Sequence, residues 1–147
     1  MNQWRNVRKG YPVIVVGVDG SDSSKDALRW AGRQADLTGA ALHAVAAWQF
    51  PVDWGWAMTY VESFDPKRQT RRALQATVDE VLGSDADVRL IVVEDKPAPA
   101  LVNAAKKAEL LVVGSRGRGQ SPERIIGSVS EHCVHQATCP VVVVRHQ

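Results

Sequence analysis

The stretch from Gly114 to Ser130, GSRGRGQSPERIIGSVS, gathers residue types suited to holding an anion. Glycines at 114, 117 and 119 follow a short apolar run, Leu110 to Val113. Glycine lets the main chain approach an anion closely and adopt positive φ. Arg116 and Arg118 stand inside the loop, where guanidinium groups can pair with phosphate oxygens. The stretch closes at Gly127-Ser128, where an apolar-periodic helix starts, and helix starts offer N–H groups and a favourable dipole to anions. Strand, glycine-rich loop and helix start together predict a phosphate cradle. The competing reading is a glycine-rich surface loop that holds nothing. The loop is neither a Walker A motif nor the dinucleotide fingerprint, because Pro122 stands beyond Gly117-Arg118-Gly119 and the loop follows the fourth strand. Ser128-x-x-Glu131 has the spacing of a capping box, which predicts Ser128 as N-cap of the last helix.

Other polar residues carry weaker signals. Asp19 ends the first apolar run and can accept hydrogen bonds from a ribose, or close an Asx turn. His132 and His135 share a helix face with no metal-ligand spacing around them, and His43 and His146 stand apart. No metal site and no catalytic residue is expected. Cys133 and Cys139 form neither a CxxC motif nor a disulfide framework and read as free thiols. Trp54-Gly55-Trp56 lies in the loop of 49–64 and could cover a base, anchor its own loop, or face a partner.

These residues need elements to place them. Tyr11 to Val18, Ala41 to Trp48, Val88 to Val93, Leu110 to Val113 and Pro140 to Arg145 read as buried strands. Helices are predicted from Ser21 or Asp22 to about Leu37, from Asp65-Pro66 to Leu82, over Pro97 to Lys107, and over Gly127 to Ala137. Alternation of strand and helix predicts an α/β fold with parallel crossovers and helices on both faces. Such sheets take ligands where the strand order reverses, which would bring Asp19 beside Gly114.

At 147 residues one domain is expected, with residues 1–9 as a flexible tail and 10–147 as the folded unit. A net charge of +2 is too small to point to nucleic acid. No apolar run approaches a membrane span, and no signal-type segment is evident, so a cytoplasmic protein is expected.

The spacing Gly114-x-x-Gly117, nine residues, then Gly127-Ser128 resembles the ATP-binding signature of the universal stress protein family. Val18-Asp19-Gly20-Ser21 and the closing CPVVVVR of 139–145 extend the resemblance over nearly the whole chain. The resemblance implies an open, Rossmann-like, five-stranded parallel sheet of order 3-2-1-4-5, of the adenine nucleotide alpha hydrolase-like kind. It implies ATP in the crevice between first and fourth strands; a divalent ion, Mg or Mn, bridging the phosphates is what such a ligand would bring with it. Gly114, Gly117, Gly127 and Ser128 would hold phosphates and ribose. Ser115, Arg116, Val129 and Ser130 would line the same pocket, Asp19 would face ribose or adenine, and Ala47 would offer backbone to the adenine. A homodimer through Val141, Val142, Val143 and Val144 is also implied. Gln120, Ser121-Pro122-Glu123 and Asp95 depart from the family pattern. The expected role is a nucleotide-dependent regulator or sensor with a further protein partner. A slow ATPase or adenylyl-transfer hydrolase, or an interaction module with a vestigial pocket, are the alternatives.

Overall fold

The computed structural model describes residues 10–50, 65–116 and 126–146. The expected tail at 1–9 and the tryptophans at 54 and 56 lie outside them. Runs of branched apolar residues form five strands, β1 (Val13–Gly17), β2 (Ala41–Trp48), β3 (Val88–Glu94), β4 (Leu110–Gly114) and β5 (Val141–Val144). They pair in parallel in the order β3-β2-β1-β4-β5, the order the family resemblance implies. In register, Val15 at the sheet centre lies between His43 of β2 and Leu111 of β4.

Among the described residues four helices connect the strands: α1 (Asp22–Thr38), α2 (Pro66–Leu82), α3 (Pro97–Ala104) and α4 (Ser128–Gln136). Ser21 caps α1, its hydroxyl accepting from the Ser24 N–H at 3.2 Å. Gly39 ends that helix at φ 71°, a left-handed value that a side chain would oppose. Asp65 caps α2 by accepting from the Arg68 N–H at 3.0 Å, and Pro66 fills the first helical position.

Side chains alternate across the strands, so one face carries Ile14, Val16, Leu42 and Ala44 and the other Val15, Val45, Leu111 and Val113. The first face is covered by Ala27, Leu28 and Ala31 of α1 with Leu74 and Val78 of α2. The second is covered by Leu101 of α3, the adjoining Ala105, and Cys133 of α4. Full burial of such Leu and Val side chains contributes about 1.5–3 kcal/mol each.

Of the elements that are shorter than the sequence predicts, β1 and α3 show the reason in their contacts. β1 starts at Val13 because Tyr11 is 85% exposed and Pro12 has no N–H for the ladder. α3 stops at Ala104 rather than Lys107. Ala105 is 1% exposed, and the Glu109 N–H must reach the Val13 carbonyl at 2.8 Å. The chain therefore turns early to enter β4.

Candidate functional site

The chain starts at the middle of the sheet, runs outward to β3, and returns beside β1 as β4. β1 leads into α1 on one face, whereas β4 leads on to α4 on the other. Ligand crevices of open α/β sheets lie at such reversals. A cleft of about 270 Å³ opens there. Val18 and Asp19 after β1, Gly114 at the end of β4, and Arg116 line it together with Val45 and Ala47 of β2. Pro97 and Leu101 of α3 and Val129 and Ser130 of α4 complete it. Among these residues the charge is carried by Asp19 and Arg116 alone, in a mainly apolar lining of the kind that takes small organic ligands.

The polar residues buried among the described ones are Ser23, Ser24, Ser115 and Ser130, and all four gather around this cleft. Buried hydroxyls need partners, and here the partners join three segments. The Asp19 N–H donates to Ser24 Oγ at 3.3 Å, and that hydroxyl donates to the Ser21 carbonyl at 3.0 Å. The Arg116 N–H donates to Ser23 Oγ at 3.1 Å, and the Ser23 and Ser115 hydroxyls meet at 3.5 Å. Ser130 donates to the Gly114 carbonyl. The Ser115 N–H reaches the Val144 carbonyl of β5 at 2.8 Å, and the Gly127 N–H reaches the Ser115 carbonyl at 2.5 Å.

Of the residues singled out in the sequence, Asp19, Ala47, Gly114, Arg116, Val129 and Ser130 line the cleft together. Ser115 is buried beside it, and Gly127 is buried at the start of α4. Ser128 is exposed and is not among the lining residues. Gly117 and Arg118 lie outside the described residues. Asp19 forms the Asx turn that was its alternative reading, accepting from the Ser21 N–H at 2.9 Å and the Ser21 hydroxyl at 2.5 Å.

The capping box is not formed. Gly127 is the N-cap of α4 and Ser128 its first helical residue. Gly127 is extended (φ −75°, ψ 165°) because its N–H is held by Ser115, so its carbonyl takes the first helical bond, from the Glu131 N–H at 2.9 Å. Glycine has no side chain to cap the first turn of α4, and a helix start favours an anion through its dipole.

Sequence reasoning missed Ser23, Ser24, Val45, Pro97 and Leu101. Gly114 also has a role it did not assign. A Cβ there would stand 2.5 Å from Ser23 Oγ and 2.7 Å from the Ser23 backbone, so the residue is glycine because α1 packs directly on β4. The available signal was the run Ser21-Asp22-Ser23-Ser24, since one serine suffices to cap a helix.

Burial, and then the neighbouring Cys139, push the Cys133 thiol up to about 11. Burial also raises Cys139. Both are free thiols held protonated near neutral pH, which makes them poor nucleophiles. Lys25 is committed to Glu80 at 2.9 Å, and that pairing raises its pKa. Among the described residues no group of three or more His, Cys, Asp or Glu could hold a metal ion. No described helix is long and apolar enough to cross a membrane.

Comparison with known proteins accords with this geometry. Residues 10–145 match the universal stress protein family. A universal stress protein of Mycobacterium tuberculosis is 35% identical over 146 residues, covering 96% of this chain and 46% of its own length. The chain thus spans about half the length of such mycobacterial relatives. A universal stress protein of Thermus aquaticus is 31% identical over 137 residues, covering 92% of this chain and 99% of its own. Among solved structures, a universal stress protein in complex with cAMP shares 31% identity at a TM-score of 0.59, covering 92% of this chain and 98% of that one. The Archaeoglobus fulgidus universal stress protein in complex with dAMP has the same fold, with 21% identity, a TM-score of 0.63, and coverage of 92% and 98%. The cleft at the sheet reversal, the strand order and these likenesses agree that the chain belongs to the universal stress protein family.

Proposed function

We propose that the chain binds an adenine nucleotide, ATP in the first instance, and acts in the stress response as a nucleotide-dependent regulator or sensor. The observation that carries this reading is the cleft itself. An apolar pocket for a base, lined by Val45, Ala47, Pro97 and Leu101, adjoins an anion-favouring end formed by Arg116 and the first turn of α4. The solved relative bound to cAMP, at 31% identity, supports adenine as the base. Asp19 would accept from a ribose hydroxyl through the carboxylate that its Asx turn already orients. A divalent ion, Mg or Mn, would be held by the phosphates themselves, as Mg usually is. Asp19 is the carboxylate that lines the cleft and could share in that coordination.

The mechanism is a population shift. Phosphate contacts to Arg116 and the first turn of α4 stabilise one relative placement of these two groups, and partner binding reads that placement. β5 is an edge strand of four valines, all half-buried, which suits pairing with the same strand of a second copy in the cytoplasm.

The test is to denature the purified protein without added nucleotide and identify what is released by mass spectrometry, followed by titration with ATP. Adenine nucleotide near one per chain, or saturable ATP binding that is lost in Gly127→Trp, is expected. No release together with no binding up to millimolar ATP overturns the reading.

A further inference from the structure

We propose that Ser23 is a positioning residue that aims Arg116 into the cleft and thereby sets how strongly the site favours phosphorylated over unphosphorylated ligands. This rests on the reading of the cleft as a nucleotide site. Ser23 is the second residue of α1 and is 4% exposed. Its hydroxyl has no duty within its own helix. Ser21 caps α1 through the Ser24 N–H, and Ser24 bonds back to the Ser21 carbonyl. The partners of Ser23 Oγ are instead the Arg116 N–H at 3.1 Å and the Ser115 hydroxyl at 3.5 Å, more than ninety residues away in the chain.

The joint has a matched pair of parts. At Gly114 the missing side chain makes room for the Ser23 backbone, and two residues later the Arg116 N–H takes up the Ser23 hydroxyl. α1 therefore fixes the main chain where it leaves β4. Among the described lining residues Arg116 is the cationic one and Asp19 the anionic one, so a phosphate is attracted by the first and repelled by the second. A main chain fixed at residue 116 keeps the guanidinium near the mouth without a fresh ordering cost at each binding event. Removing the hydroxyl leaves the apolar lining intact and frees Arg116, so the part of the affinity that depends on phosphate falls and the part that depends on adenosine stays.

The experiment is calorimetric titration of the unsubstituted chain, Ser23→Ala and Ser23→Thr with ATP and with adenosine, alongside thermal unfolding of each. ATP affinity in Ser23→Ala is expected to fall about fivefold to tenfold, the effect of one hydrogen bond to a positioned group, with adenosine affinity unchanged. Ser23→Thr, which keeps the hydroxyl, is expected to restore the ATP preference. Equal losses for ATP and adenosine, an unchanged ATP preference in Ser23→Ala, or failure of Ser23→Thr to restore it overturns the assignment of Ser23 while leaving the nucleotide site standing. Failure of the unsubstituted chain to bind either ligand overturns the nucleotide reading, and with it this assignment.

Discussion

The two faces of the sheet are covered by helices of very different length. α1 and α2 have 17 residues each, whereas α3 has 8 and α4 has 9. At 1.5 Å per residue the long pair spans about 25 Å and the short pair about 12–14 Å. Strands of four to eight residues are covered along more of their length by the first pair than by the second. The cleft draws most of its apolar lining from the second face, from Val45, Val113, Leu101 and Val129. One face is built for burial, and the other exchanges some burial for an opening at the ends of the strands.

This division can be broken or sharpened by substitution. The largest expected effect is on the long-helix face. Leu28→Ala removes a fully buried side chain and is expected to cost about 2–5 kcal/mol in denaturant unfolding, with nucleotide affinity unchanged in the folded fraction. Leu101→Ala on the short-helix face is expected to cost about 2–3 kcal/mol, since the site already borders the cleft, and to weaken nucleotide binding in calorimetry. Equal effects of the two substitutions on binding would erase the contrast. Gly114→Ala strikes the joint between the faces. Its Cβ would meet Ser23 backbone at 2.7 Å, and a loss of about 1–3 kcal/mol with weaker ATP binding is expected. At Gly17 the Cβ would meet Leu101 Cδ1 at 2.7 Å, the flexible end of a side chain, so Gly17→Ala should cost less.

The smallest effect is a pH dependence of the second face. The Cys133 thiol is raised by burial from an ordinary 9.0 to about 11, so its folded form favours the proton. Its contribution to stability is complete below about pH 9 and is lost as pH rises towards 11. Denaturant midpoints of the unsubstituted chain should fall across that window more steeply than those of Cys133→Ala. Parallel curves would show that burial on this face is looser than the structure has it.

Much of this architecture was legible from the residues. Asp65-Pro66 and Gly83 bracket α2 because capping, a fixed φ and a helix stop are local events, and Ser21 and Gly39 bracket α1 for the same reason. The cleft residues Asp19, Gly114 and Arg116 were legible because they follow the ends of strands, and Ser130 through the family resemblance. What was not legible depends on contacts between distant segments. The cap of α4 moved to Gly127 through a bond to Ser115, and α3 was cut short by the approach to Val13. Ser23 looked like one more polar residue at a helix start, because its partners lie across the fold. Leu101 and Pro97 read as ordinary helix residues, since only the packing of a short helix leaves them at an opening.

The bond from the Gly127 N–H to the Ser115 carbonyl fastens both feet of the intervening segment side by side on the scaffold. A segment anchored in this way can be rewritten without renegotiating the rest of the molecule. Doubling its length would cost only about 0.6 kcal/mol in closure entropy. Changes in sequence beyond Arg116 and before Gly127 can therefore alter ligand preference, by divergence or by engineering, while the described strands and helices keep their places.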